Sequence, residues 1–545
     1  MRFITDATSS WPIVLMELTV QGVKYRYSDG GSVTVSSDDG DVLFENGLAQ
    51  VELSWSIDLF GVADSKSVSV AVELGAGVDI STLFGAGPRL YAATAKLFAY
   101  FGGALEDATP LASGFIRSPI YGDPQQPTLL SFSLERDIID HALIPNKKNS
   151  VKEDSWDSLA GAAYDNDLGK PRQILIGMPG YDLRSVGDVI KTVPTTLGRY
   201  QASPAPSQIR IELAGHKVRA STVKLWSSTN KASGTADVLM GVDDLGYTVA
   251  YADMTTFSGT VADLVNDLPV YAGFGAETHP GPFGLGFRGL GDVVLWALSQ
   301  TSFAETDVDW DRVNASVDRL NLLGRVDTWI SERIRPYEWL KNEVLAHFPC
   351  FIADSGKGVY VGVWPFNATM DQVELTIDTG LPGFERVSPV AWSLPELGNH
   401  ITVASQLSAA TGKYMRYRQI TGDPEAIEEA WPGAATSTAD TTLVRHRLLE
   451  ESFRTFGLTE LDIEVPTVSD PATLGVIAQY RAVRHALPSA EVGYAIPWRK
   501  GIPELGVVVK VIDTDVGFDS NLGVLTGVRL SGGRCEARVA LLPIL

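Results

Sequence analysis

Residues 336–366 read PYEWLKNEVLAHFPCFIADSGKGVYVGVWPF, and this stretch sets the fold class. Its first part, 336–348, carries Leu340, Val344 and Phe348 at intervals of four, which places them on one face of a helix. Residues 350–353 then run into Asp354-Ser355-Gly356-Lys357-Gly358, and 359–364 return. A glycine-bearing loop between two apolar runs is a hairpin signal. Helix and hairpin sit together inside a chain whose other patterned segments are mostly short strands.

Upstream, the first 145 or so residues alternate with a period of two. Val51, Leu53, Trp55, Ile57 and Leu59 alternate with Glu52, Ser54, Ser56 and Asp58, as a strand with one wet face requires. Val23, Tyr25 and Tyr27 repeat the pattern, as do Val68, Val70, Val72 and Leu74, and then Leu130, Phe132 and Leu134. Polar clusters such as Ser37-Asp38-Asp39-Gly40-Asp41 separate the runs. Many short alternating strands with polar turns predict a barrel or sandwich. A polar stretch, 145–169, reads as a linker or long loop, and a second strand-rich region begins at Arg172. Its expected strands are 174–176, 209–213, 223–226 and 238–240, with Asp243-Asp244-Leu245-Gly246 turning the chain into another at 247–251.

Helices are expected only after Gly291. Asp292 caps one run, Asp309 caps another bearing Val313, Val317 and Leu320 and stopped by Gly324, and residues 336–348 form the third. Beyond Gly398 strands return at 401–404 and 414–420, a small-polar loop spans 434–442, and Asp470-Pro471 opens a helix with Leu474, Ile477 and Ala478 on one side. Three strands, 505–512, 523–530 and 534–542, close the chain. The expected class is α+β, β-dominated and multidomain. The expected units are a barrel or sandwich domain at 1–145, a linker or long loop at 146–170, a second β-rich domain at 171–290, a small helix-rich domain with a hairpin at 291–398, and a C-terminal β-rich domain with one helix at 399–545.

Composition agrees with several folded units: 545 residues, 45% hydrophobic and 20% charged, divide into roughly three or four domains. The net charge of −22 repels phosphate backbones and disfavours nucleic acid along the outer surface. Cys350 and Cys535 are too far apart for a disulfide framework and read as buried thiols. The N-terminus has no sustained apolar region, and no run reaches the ~18 apolar residues of a membrane helix, so synthesis in a cytoplasm is expected.

Candidate chemistry is sparse. Gly284-Leu285-Gly286-Phe287-Arg288-Gly289 has dinucleotide-loop spacing, but Thr278-His279-Pro280-Gly281-Pro282 precedes it where that motif demands a strand, so it reads as a loop. Asp307-Val308-Asp309-Trp310-Asp311 resembles the start of a calcium loop but has Arg312 where glycine is required, and capping explains its aspartates better. Asp513, Asp515 and Asp519 read as a solvated hairpin loop, with a weak cation site as the alternative. There is no Gly-x-Ser-x-Gly, and His446 and His485 lack metal-ligand spacing. Trp55 and Trp296 fall on apolar faces, whereas Trp11, Trp364 and Trp498 border prolines and read as the exposed ones. No catalytic, cofactor or metal residue is assigned.

The stretch 292–364, with its helical part, the acidic turn Asp307-Val308-Asp309-Trp310, the 336–348 helix and the 350–364 hairpin, resembles the baseplate hub or tail-tip proteins of long-tailed bacteriophages and gene transfer agents. The C-terminal order is similar too: a helix around 474–486, then Val492-Gly493-Tyr494-Ala495-Ile496, then Leu505-Gly506-Val507-Val508-Val509 and a final strand pair. Gly114-Phe115-Ile116 and the 130–134 strand fit the N-terminal part of such proteins. The resemblance lies in layout across most of the chain. It implies a structural, non-enzymatic virion component at the tail tip. Such a subunit forms a homotrimeric ring continuing the tail tube, contacts distal-tail, tube, tip or fibre proteins, and meets DNA only as passing cargo. A tail-borne polysaccharide or peptidoglycan hydrolase and a carbohydrate-binding adhesin are the alternatives.

Overall fold

The computed structural model describes residues 12–543 except 39, 60, 63, 75–91, 137–139, 147, 160–163, 181–192, 200–204, 230, 283, 285, 394–395, 411, 427–439, 498–503 and 532–533. The protein is β-dominated α+β with several sheets and few helices, as its alternating segments predict.

The largest sheet has sixteen strands and draws on both ends of the chain. Strand Leu48–Ile57 pairs antiparallel with Asp64–Glu73 on one side and with Phe518–Ser531 on the other. From Asp64–Glu73 the sheet continues through Gln126–Glu135, Thr109–Asp123 and Thr94–Tyr100 to Ile13–Val20. From Phe518–Ser531 it continues through Arg534–Leu541 to Ser489–Ile496. The fourteen-residue strand Phe518–Ser531 is shared. Its first half pairs with Val508–Asp513 and its second half with Leu48–Ile57, and its pairing with Arg534–Leu541 shifts register between Leu525 and Gly527. Such a bulge bends the strand and lets one edge serve two partners.

The expected alternation is realised here. Leu53, Trp55 and Ile57 are buried while Glu52, Ser54 and Ser56 stay partly exposed, and Val68, Val70, Val72, Leu130, Phe132 and Leu134 are buried. Leu53, Val70 and Leu130 share one apolar core with Leu375, Val492, Leu525 and Val539. Thus the core of the N-terminal strands is completed by residues more than 200 positions downstream.

A second core belongs to a seven-stranded antiparallel sheet in the order Val193–Pro194, Tyr271–Gly273, Thr222–Trp226, Ser233–Val242, Thr248–Asp253, Arg210–Ala214, Thr196–Arg199. The third core joins the helices to a four-stranded mixed sheet in which His400–Ser408 and Lys413–Thr421 are central and helix Pro471–His485 packs on both.

Side-chain caps start two of the helices. Asp309 accepts from the Arg312 amide at 3.2 Å and starts Trp310–Asn321, whose buried residues are Val313, Val317 and Leu320. Asp470 accepts from the Thr473 amide at 2.8 Å and starts Pro471–His485. Other expectations are corrected. Asp292 is not a cap: helix Leu290–Ser299 begins after Gly289, and Asp292 lies in its first turn, accepting from the Arg288 amide at 2.8 Å. The 336–348 helix is one α-turn, Pro336–Trp339, followed by a π-turn, Leu340–Val344, and a 3-10 turn, Leu345–His347. This unwinding buries Leu340, Val344, Leu345 and Phe348 together, and Pro349 forces Phe348 into extended backbone. Helices do occur before Gly291, since Val261–Val265 is a short one. Arg447–Phe456 is a further helix that the sequence reading lacked. Of the expected 434–442 loop, 434–439 lie outside the described residues and 440–442 belong to strand Asp440–Arg445. No helix among the described residues is long and apolar enough to cross a membrane.

Candidate functional site

The hairpin read from the sequence forms as Cys350–Asp354 paired with Val359–Val363. Its loop is plugged into a socket made by three separate parts of the chain. From the large sheet, Lys66 and Arg136 reach Asp354 at 3.2 and 3.5 Å, and Arg136 and the Ser113 hydroxyl donate to the Gly356 carbonyl at 2.9 and 3.1 Å. From the helical segment, Asp309 accepts from the Ser355 hydroxyl at 2.5 Å, and its amide donates to the Val359 carbonyl at 2.9 Å. Arg312 on that helix lies over the Tyr360 ring at 4.9 Å and pairs with Glu504 at 2.9 Å, tying in the C-terminal segment.

The loop sequence explains the fit. Asp354 accepts from the Gly356 amide at 2.7 Å, closing the turn. Gly356 has φ of +85°, and a Cβ there would meet the Leu111 and Pro110 carbonyl oxygens at 2.9 Å, so glycine is required both for conformation and for space. Below the loop, the Ile352 amide donates to the Val62 carbonyl at 2.6 Å.

Chemically this is a clamp. The Asp354 carboxylate is flanked by two cations, and Asp309 is taken by the Ser355 hydroxyl, the Arg312 amide and, at 3.4 Å, the Arg312 guanidinium. Carboxylates paired and hydrogen-bonded in this way tie the segments together.

Other residues singled out from sequence do not converge on a site. Asp513 is buried and accepts from the Tyr494 hydroxyl at 3.2 Å with Arg386 at 3.5 Å, while Asp515 and Asp519 are exposed. Among the described residues no group of three or more His, Cys, Asp or Glu is placed to hold a metal ion. His446 precedes a helix, and His485 is buried with Nδ1 at 2.6 Å from the Glu396 carbonyl. Both cysteines are buried and free, and burial pushes both thiols up. Trp55 and Trp296 are core residues as expected. Trp364, expected to be exposed, is fully buried: its indole donates to the Gly61 carbonyl at 3.0 Å and its ring lies 4.9 Å from Phe351. The neighbouring proline constrains the backbone and carries no information about what covers the ring. Trp11 and Trp498 lie outside the described residues.

One buried ionic cluster has no signature in the sequence. Arg172 is fully buried in the seven-stranded unit and pairs with Glu212 and Asp243, each at 2.8 Å, while Trp156 donates to Glu212 at 2.7 Å. These residues are scattered over nearly a hundred positions and share no spacing pattern.

The chain is similar to solved tail proteins. It aligns over 97% of its length with 98% of the 43 kDa tail protein of prophage MuSo2 from Shewanella oneidensis, at 11% identity and a TM-score of 0.36. It aligns over 97% with 96% of a tail protein from Neisseria meningitidis MC58, at 11% identity and a TM-score of 0.34. A chain from the virion of a gene transfer agent aligns over 80% of its own length with 45% of this one, at 11% identity and a TM-score of 0.18. No protein-family model matches the sequence, and neither does any curated protein. Identities and scores at this level transfer no residue role.

Proposed function

We propose that this chain is a structural, non-enzymatic subunit of a phage tail tip or baseplate hub. The observation that carries the reading is the sixteen-stranded sheet fused from both chain ends, with the helix–hairpin segment clamped onto it at Asp354 and Gly356. The hub resemblance itself rests on the helix, acidic turn and hairpin of 292–364 and on the order of the closing strands. A sheet closed by distant segments and locked by a charged plug is a stiff block.

In this reading three copies form a ring that extends the tail tube and anchors tip or fibre proteins. Distal-tail and tube proteins are its neighbours, and DNA crosses only as cargo. The charge of −22 supports an acidic bore that repels phosphate and lets DNA slide. The subunit is made in the host cytoplasm, acts in the virion at the tail tip, and inserts no segment of its own into a membrane. Light scattering with negative-stain imaging of the purified chain tests this. A ring with a central channel is expected. A monomer that hydrolyses capsule or cell-wall polymer overturns the reading.

A further inference from the structure

We propose that His216 and His279 form an acid-released latch between the seven-stranded unit and the helical unit. Proton uptake on the two rings frees the seam made by strands Ile174–Ile176 and Thr328–Ile330.

The seam joins two cores. Strand Ile174–Ile176 pairs antiparallel with Thr328–Ile330, and alternate residues serve opposite sides. Leu175 belongs to the core of the seven-stranded sheet and Ile176 to the helical core. Trp329 packs on the first and Ile330 on the second. A line of rings crosses at the same place: His216 to His279 at 4.6 Å, His279 to Phe287 at 4.9 Å and to Trp296 at 5.5 Å, and Trp296 to Trp339 at 6.1 Å.

Both imidazoles are held neutral by their hydrogen bonds. His216 Nε2 accepts from the Leu175 amide at 3.0 Å, so its proton sits on Nδ1, which faces the Lys217 carbonyl at 2.9 Å. His279 Nδ1 accepts from the Gly281 amide at 2.9 Å, so its proton sits on Nε2. Protonating His216 places an N–H against the Leu175 N–H and removes that strand's tie to the turn. Protonating both sets two cations 4.6 Å apart among aromatic rings.

Burial fixes the sign. Burial holds His216 down at about 4 and His279 at about 3, whereas freed rings return to about 6.5. Protons therefore favour the open seam as pH falls from 6.5 toward 4. The Lys217 carbonyl at 2.9 Å favours the His216 proton but is outweighed by burial, and Arg219 acts on Glu277, which it lowers. Glu277 acts the other way: chiefly through burial it is raised to about 7, so its proton favours the closed form between pH 7 and 4.5. Arg325 lies 3.3 Å from Glu277 and 3.7 Å from Asp327, and Arg288 is committed to Asp292 at 2.8 Å. Two histidines against one glutamate leave a net opening of about tenfold per pH unit between 6.5 and 4.5.

Hydrogen exchange of the full chain from pH 7.5 to 4.5, corrected for intrinsic rates, tests the latch. Residues 174–176 and 328–330 should lose about tenfold protection per pH unit while strand Leu48–Ile57 keeps its own. In the H216Q/H279Q double variant the slope should reverse, because Glu277 alone remains, and in E277Q it should steepen to about a hundredfold per unit. Seam protection that is flat with pH, or that falls in step with Leu48–Ile57, overturns the proposal. Should the double variant not fold, the wild-type protein with carbon-13-labelled histidine decides: both rings neutral at pH 5.5 support the latch, and either ring titrating near 6.5 sinks it.

Discussion

The Ser531 hydroxyl donates to the Glu52 carboxylate at 3.2 Å although 479 residues separate them. The contact marks the register in which Phe518–Ser531 pairs with Leu48–Ile57, with Trp55 opposite Val528 and Leu53 opposite Leu530. The N-terminal strands therefore depend on the C-terminal ones for a neighbour along residues 52–56.

A fragment of residues 12–145 is expected to self-associate. Without Phe518–Ser531, strand Leu48–Ile57 presents a free edge and the core loses Leu525, Val528 and Leu530. Sedimentation of the fragment alone and mixed with a 370–543 fragment checks this. The mixture should suppress association, and a stable monomeric 12–145 fragment would contradict the pairing.

Replacing Asp309 by alanine removes a helix cap, the acceptor of Ser355 and the partner of Arg312 at one stroke. The expected cost is about 2–4 kcal/mol. It is read as a lower urea midpoint with accelerated proteolysis at 354–358, whereas D311A, on the same turn but outside these contacts, should change the unfolding free energy by less than about 0.5 kcal/mol.

Arg172→Met strands Glu212 and Asp243 in the interior of the seven-stranded unit. Breaking a buried ion pair from one side costs about 3–5 kcal/mol. Calorimetry should show a lowered transition for that unit. R172M/E212Q/D243N should recover part of the loss, since no lone charge then remains buried and the amide oxygens still accept from Trp156, Leu245 and Tyr247.

Two glycines in helices give opposite expectations. A Cβ on Gly291 would sit 2.2 Å from the Val317 carbonyl oxygen, where helices Leu290–Ser299 and Trp310–Asn321 touch, so G291A destabilises by more than about 1 kcal/mol. Gly475 in helix Pro471–His485 has nothing within 4 Å of its Cβ position, so G475A stabilises by about 0.5–1 kcal/mol. Thermal melts of the two variants side by side decide the matter.

Neither cysteine should react with a thiol reagent in the folded protein at pH 8. Cys350 and Cys535 are buried, and burial raises both thiols, Cys535 to about 12. Two thiols per chain should titrate after denaturation, and rapid labelling of the native form would contradict the core placement.

Much of the local structure is legible in the residues themselves. Alternation at Leu53, Trp55 and Ile57, the caps at Asp309 and Asp470 and the Asp354–Gly358 turn are written in side-chain type and spacing, because each acts within a few residues. The clamp was half legible: the loop could be read, its socket could not. Period-two spacing records that a face is buried but not what buries it. Only the tertiary structure set Leu48–Ile57 against Phe518–Ser531, closed Lys66 and Arg136 onto Asp354, covered Trp364 with Gly61 and Phe351, and gathered Arg172, Glu212 and Asp243. Those contacts join positions far apart along the chain, where spacing carries no signal and packing alone selects the partner.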